Sequence, residues 1–370
     1  MPIAHSLTLV IVESDPLLLR ALGKALQHID SSLQITAIPA QQLHQHKFIN
    51  SHFDIAFVGV GIENEQQAHQ WLTLLQQQCP LTIRCLLKGA TTTSWDWQLN
   101  DNIHFCLAKP YSHADLRHVI NCTAKIQSLA IDTATKSVLG KMNGLPVMRQ
   151  QIAAIMSAFT ANPVEIPVIA DLISNDPFLS GKVIQTANSA FLGFSSETVN
   201  LKQALARIGT SACHALVVHT EAHSHYQHTL SEQQLAAIST NAFARAKQAR
   251  ELAKQLNLST RQKDTVFILG LLSGVGAMAL AVLAKTSSEQ ATLNEELVAA
   301  YILNLWGFSS TITENMLLPE KLSQVTSIEM AVHYLAKKSP CEALTEFEDS
   351  EYELLQQLKE NDELLECPKK

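Results

Sequence analysis

Between Val266 and Ala284 the chain reads VFILGLLSGVGAMALAVLA, nineteen residues without a charge. A stretch so long and so apolar has two homes, the hydrocarbon of a bilayer or the interior of a large protein core. Gly270, Ser273, Gly274 and Gly276 crowd its centre, where helix propensity favours Ala or Leu. Small residues there let neighbouring helices come close, or let the helix bend. Lys263 and Asp264 precede the run and Lys285 follows it, with none of the one-sided positive charge that orients a membrane segment. The expectation is a buried, hairpin-like pair of helical segments, bent near Gly274 to Gly276 and packed by protein on all sides, with no membrane partner.

A core of that kind needs a large chain around it. The 370 residues, 46% of them hydrophobic, supply apolar material for two domains. The formal net charge is −7 and no Lys/Arg stripe with interleaved aromatics occurs, which excludes direct nucleic-acid binding as the expected role. Near the N-terminus TLVIV runs straight into ESDP, so no signal-type segment is read there. Cys79, Cys85, Cys106, Cys122, Cys213, Cys341 and Cys367 are scattered without CxxC spacing, which suits reduced thiols and a cytoplasmic location.

From Thr8 to Ile126, short β-rich runs (TLVIV, LQITAI, DIAFVGV, TIRCLL, IHFCLA) alternate with helical periodicity of about a dozen residues. That pattern predicts a parallel five-stranded sheet covered on both faces, with its chemistry at the carboxyl ends of the strands. Those ends carry Glu13, Ser14 and Asp15, then Gly59 to Gly61, then Lys88, then Lys109-Pro110. The segments VIVESDPLLLRALGKAL and FCLAKPYSHADL resemble the response-regulator receiver domain, a flavodoxin-like (βα)5 fold, over about the first 125 residues. The resemblance implies a Lys109 that would pair with a phosphoryl group and a cis bond before Pro110. It also exposes what is missing. The phosphoryl-accepting Asp of the family falls on Gly59, and of the acidic pair that would hold Mg²⁺ only Glu13 remains, with Ser14 in the second place. Asp54 is about 16 Å away along the strand. Without an acceptor carboxylate no acyl phosphate forms, and Lys88, Lys109 and Glu13 are expected to form a charge cluster without metal.

After a low-aromatic stretch, QSLAIDTATKSVLGKMN, that can extend the last helix or act as a tether, strand signals vanish and helical spacing takes over. Asp176 before Pro177 reads as a helix N-cap with proline in the first turn, and Asn188 and Ser189 stand where that helix ends. Leu145-Pro146, DPFLSGKVIQTANSAFLGF, QALARIG and GLL, in that order, resemble the HDOD domain, a helical relative of HD-type metal phosphohydrolases, and Asp176, Pro177, Asn188 and Ser189 carry the motif. The resemblance implies an all-helical domain. In catalytic HD relatives the helix similar to GLLSGVGAMAL bears adjacent His and Asp metal ligands; here those places fall on Ser273 and Gly274, and Asn241 falls near the place of the first His. No metal and no other cofactor is therefore expected, nor the water activation that such hydrolases need.

His219, His223, His225 and His228, in HTEAHSHYQH, offer an i, i+4 pair but no HExxH spacing, and are expected in a helix end and solvated loop rather than a metal site. Leu344, Phe347, Leu354, Leu355 and Leu358 mark an acidic amphipathic helix that caps the domain or meets a partner. The expected organisation is a degenerate receiver over 1–126, a linker over 127–142, an HDOD domain over 143–338 and an acidic helical tail over 339–370. The function this implies is a non-catalytic bacterial signalling regulator that binds other signalling proteins, with self-association through the receiver's last strand and helix. The alternative is a sensor that binds a nucleotide second messenger without hydrolysing it, and behind it a residual metal-dependent phosphohydrolase.

Overall fold

A computed structural model describes residues 6–45, 52–59, 65–88, 102–141, 150–161, 163–188, 196–286, 293–338 and 349–366. The chain forms two compact units: Met1–Val147 with Leu283–Leu293 and Tyr301–Ser310, and Met148–Val282 with Asn294–Ala300 and Thr311–Lys370.

In the first unit the five apolar runs are β1 (Thr8–Glu13), β2 (Gln34–Pro39), β3 (Ile55–Gly59), β4 (Ile83–Lys88) and β5 (Phe105–Ala108). They pair in parallel in the order β2-β1-β3-β4-β5, the flavodoxin-like order with its switch point between β1 and β3. β3 is buried throughout, as a central strand covered on both faces must be. β2 is half exposed and ends in Pro39, which an edge strand tolerates. The packed helices are α1 (Pro16–Ile29), α2 (Glu65–Gln78), α3 (His113–Ser128) and α4 (Thr133–Lys141). Asp15 caps α1, its Oδ1 accepting from the Leu17 and Leu18 amides at 2.7 and 3.4 Å.

The regular alternation is not complete. A short 3₁₀ helix, Ala40–Gln45, follows β2 where a dozen-residue helix is expected, and the stretch after β4 lies outside the described residues.

Arg84 organises the end of this sheet from inside. It is 1% exposed, and its guanidinium donates to the carbonyls of Asn102 (2.6 Å), Thr82 (3.1 Å) and Gly140 (2.9 Å). Burial pushes its pKa down to about 10, and carbonyl oxygens supply the solvation that water would otherwise give. α4 is thereby pinned, with Gly140 set so close to the Pro80 carbonyl that no β-carbon fits between. The same unit places Tyr301 Oη 3.4 Å from His104 Nε2, and Lys125 Nζ donates to the Phe308 carbonyl at 2.7 Å.

The second unit is helical. It contains α5 (Gln150–Thr160), α6 (Ile166–Ser174), α7 (Pro177–Ala187), α8 (Leu201–Ile208), α9 (Thr210–Tyr226), α10 (Glu232–Gln255), most of α11 (Thr260–Thr286), the start of α12 (Glu295–Leu305), nearly all of α13 (Ser310–Met316), α14 (Ile328–Lys338) and α15 (Asp349–Glu366). The apolar run forms one continuous helix, α11, which corrects the expected hairpin-like pair. By length and composition α11 could cross a bilayer, yet 83% of its most apolar window is buried in the protein.

The glycines explain both facts. A β-carbon on Gly270 would lie 2.6 Å from Ala246 Cα of α10. One on Gly274 would lie 2.8 Å from both Ala242 Cβ and His219 Cε1, and one on Gly276 would strike the Glu295 carbonyl and the Ala299 backbone of α12. Each glycine admits a different neighbour, so the helix needs no bend. In α15, Leu355 is buried in one apolar cluster with Leu335 and Ala336 of α14, and Leu354 and Leu358 pack against it. The acidic helix thus caps its own unit; Leu344 and Phe347 lie outside the described residues.

Two glycine substitutions separate packing from propensity. Gly276→Ala forces a methyl into the α12 backbone and is expected to destabilise the protein by about 1–3 kcal/mol. Gly181→Ala, on α7 with nothing within 4 Å of the added carbon, is expected to stabilise it by about 0.5–1 kcal/mol. Urea unfolding midpoints of the two variants check both signs.

Candidate functional sites

At the carboxyl end of the sheet, Glu13 turns inward and is 3% exposed. Its Oε2 pairs with Lys109 Nζ at 2.7 Å, while its Oε1 accepts from the Ser14 amide at 2.9 Å, the Ser14 hydroxyl at 3.3 Å and the Asp15 amide at 3.4 Å. Any side chain at position 59 would run into this carboxylate. Gly59 therefore leaves the space that Glu13 fills. The Lys109-Pro110 bond is cis, as the receiver resemblance implies.

Lys88 stays outside the ion pair. Its carbonyl accepts from the Lys109 amide at 2.7 Å, so the expected three-residue cluster is corrected to a Glu13–Lys109 pair. Asp54 is committed at the other end of the sheet, where its Oδ2 accepts from the Thr8 amide at 2.8 Å and the Thr8 hydroxyl at 3.0 Å. A Mg²⁺ ion needs several oxygens in octahedral array. One carboxylate already held by an ammonium and two amides, beside one serine, does not fit it.

The second site surrounds Ser273 and Gly274 on α11. Ser273 is 2% exposed; its hydroxyl donates to the Gly270 carbonyl at 2.8 Å and accepts from Arg245 Nη1 at 3.0 Å. Arg245, on α10, also meets Glu295 Oε1 at 2.8 Å and Glu296 Oε1 at 3.4 Å, both from the first turn of α12. Lys337 of α14 closes the network on Glu296 Oε2 at 2.6 Å. Glu296 is 1% exposed; burial, together with Glu295, pushes its carboxyl up against the lowering hydrogen bond and charge of Lys337.

Asn241 faces solvent on α10, so the structure does not bring it to Ser273; Ala242 and Arg245 turn inward instead. The carboxylates of Glu295 and Glu296 already answer Arg245 and Lys337, and with those two cations among them the groups around Ser273 and Gly274 do not form a donor set for a divalent metal. Among the described residues no three His, Cys, Asp or Glu side chains gather as metal ligands.

Two imidazoles sit in this core. His333 is fully buried and, among the described residues, neither ring nitrogen is hydrogen-bonded; burial, then the charges of Arg245 and Lys337, lower its pKa to about 3. His219, 3% exposed, has Nε2 at 3.2 Å from the Ser239 hydroxyl; burial, then His223, lowers it to about 4. α9 runs through Tyr226, so His219, His223 and His225 are helical, with only His228 beyond the helix and exposed. That corrects the expected solvated loop: the i, i+4 spacing put His219 into the wall that faces Gly274.

The Asp-Pro motif builds local structure. Asp176 Oδ1 accepts from the Leu179 amide at 3.0 Å, and the Ser180 hydroxyl donates to the Ile173 carbonyl at 2.9 Å, fixing the turn from α6 to α7. Asn188, at the end of α7, clamps Thr198: Oδ1 accepts from its amide at 2.8 Å and Nδ2 donates to its carbonyl at 2.9 Å. Ser189 lies outside the described residues. Sequence reasoning missed Arg245, Glu295, Glu296 and Lys337. The adjacent acids were legible as a helix start, and nothing local disclosed their partners.

Residues 145–300 match the HDOD domain family model, and the chain carries an HDOD domain there. No curated protein matches the chain. Two solved structures are similar to it. An HDOD domain protein with unknown function from Geobacter sulfurreducens is 13% identical, with a TM-score of 0.47, over 61% of this chain and 87% of that one. A Shewanella amazonensis SB2B protein named "Putative metal-dependent phosphohydrolase" is 15% identical, with a TM-score of 0.45, over 63% of this chain and 90% of that one.

Removing Arg245 leaves the buried Glu296 to Lys337 alone. Arg245→Met is expected to cost about 3–5 kcal/mol, read as a lower urea midpoint. The buried imidazoles give a pH dependence with a definite sign. Both have folded pKa values below the ordinary 6.5, so the unfolded chain binds protons first and stability falls as pH drops below about 6.5, through about 4 for His219 and about 3 for His333. The slope is up to about 1.4 kcal/mol per pH unit for each group. Urea midpoints between pH 7 and about pH 5, above most carboxylate titration, should decline, and His333→Leu should flatten the decline.

Proposed function

We propose that this protein is a non-catalytic signalling regulator in which a phosphorylation-incompetent receiver-like domain (1–126) is joined by a linker (127–142) to an HDOD output domain (143–338) with an acidic helical tail (339–370), and that it acts by binding other proteins. The observation that carries this reading is that each centre where such domains would hold a cation is filled by the protein's own. Lys109 answers Glu13 beside Gly59, and Arg245 answers Glu295 and Glu296 beside Ser273. A crevice whose charges are already paired has little left with which to stabilise an incoming phosphoryl group or activate water. What remains for such a fold is its surface.

Self-association through β5 and α3 would have to share that side with Phe308, whose carbonyl holds Lys125. Recognition of a different protein is therefore the reading favoured here over a receiver-type homodimer. Cytoplasmic two-component signalling is the setting that this combination of domains supports.

Incubation of the full-length protein with a small phosphodonor and Mg²⁺ is expected to leave its intact mass unchanged; an added phosphoryl mass would contradict the reading. Calorimetry against cyclic and linear guanine and adenine nucleotides should give no saturable heat, whereas a saturable isotherm would favour the second-messenger sensor. Cross-linking of the tagged full-length chain in its native cytoplasm, followed by mass spectrometry, should return a reproducible protein partner.

A further inference from the structure

The outward face of α7 combines apolar surface, bare backbone and an unanswered charge. Phe178 there is 50% exposed. One turn on, Gly181 is exposed, and a β-carbon added to it would meet nothing within 4 Å. In α11 three glycines each admit a neighbouring helix, so packing offsets their poor helix propensity. Gly181 carries the same cost with no neighbour in its own unit to offset it. Phe178, Gly181 and Gln185, all exposed, stand at i, i+3 and i+7, the spacing along which one helix seats on another. A glycine in the middle of that seam lets a second backbone come close.

Charge decides what kind of helix fits. α7 contains no acidic residue, and its one cation, Lys182, is exposed with its Nζ 5.8 Å from the Phe178 ring centroid. Among the described residues no carboxylate pairs with it. The charge is felt inward as well: after burial it is the cause that lowers His223, whose ring lies 6.3 Å from that of Phe178. A second copy of the chain laid on this seam would offer Lys182 only another Lys182 in antiparallel seating, or Pro177 in parallel seating. Neither answers the charge. We infer that the Phe178–Gly181–Gln185 face of α7 is a docking surface for an acidic amphipathic helix of another protein, which lays an apolar side chain on Phe178, brings its backbone close at Gly181 and turns a carboxylate to Lys182. Asp176, which caps α7 just before Phe178, keeps that carboxylate to the Lys182 end. The inference rests on the protein-binding reading above and adds to it the surface and the partner's chemistry.

The probe is a fluorescently labelled synthetic peptide of residues 349–366, an acidic sequence with leucines at helical spacing, titrated with the full-length protein and followed by anisotropy. A second peptide with every Asp and Glu replaced by Lys is the control. The expected result is saturable binding of the acidic peptide alone, weakened about tenfold by Phe178→Ala and about fivefold by Gly181→Gln and by Lys182→Glu. All three positions are exposed and Gln is a better helix former than Gly, so the variants should fold; circular dichroism checks this. No saturable binding of the acidic peptide, equal binding of the lysine peptide, or binding indifferent to the three substitutions overturns the inference. A dimer in sedimentation equilibrium that Gly181→Gln dissociates gives the face to a second copy and overturns it too. In native cross-linking, a partner captured equally by wild type and Gly181→Gln overturns the inference and leaves the protein-binding reading standing, whereas no captured partner at all overturns both.

Discussion

The burial of Glu296 governs the second unit. At 1% exposure its carboxylate is removed from water, and it is tolerable there only because Arg245 and Lys337 reach it from α10 and α14. Buried ion pairs seldom add net stability over apolar packing, but breaking one leaves an uncompensated charge. The network therefore acts as a constraint on arrangement. It fixes α10, α12 and α14 about α11, and α11 can accept such close neighbours because Gly270, Gly274 and Gly276 present bare backbone to them. The glycine-rich run and the charge network are two halves of one packing solution, one apolar and one ionic.

The first unit reaches the same end with fewer residues. Glu13 occupies the room that Gly59 leaves, takes the Lys109 ammonium, and draws the amides of Ser14 and Asp15 onto its other oxygen. Arrangement again follows from pairing a buried charge at home. The two units share a physical logic in which a place suited to an outside ion is closed by an internal one. This leaves the sheet edge and the helix faces as the parts with unspent recognition chemistry.

Much of the fold could be read locally. The five strands follow from apolar runs of the right length, the start of α7 from Asp176 before Pro177, and the burial of α11 from a hydrophobic stretch without oriented flanking charge. The misreadings share a cause. Gly274 and Gly276 were taken for a bend, and the histidines from His219 to His228 for a helix end running into a solvated loop, because a sequence shows small and polar residues without showing what approaches them. Arg84 and Arg245 look like ordinary surface cations in the sequence, and their partners stand far off: Gly140 and Asn102 for one, Glu295 and Glu296 for the other. Resemblance alone singled out Gly59, Ser273 and Gly274, and it gave no sign of the charged groups packed around them. Long-range pairing of buried charge leaves no periodic trace.

The account rests on internal cations filling both centres, and Mn²⁺ binding tests that most directly. Titration of the chelator-treated full-length protein with Mn²⁺, followed by the paramagnetic resonance signal of the free aqua ion, should show that signal growing in step with added metal, as in buffer alone. Uptake of a stoichiometric ion that Glu13→Gln or Glu296→Gln abolishes would contradict it.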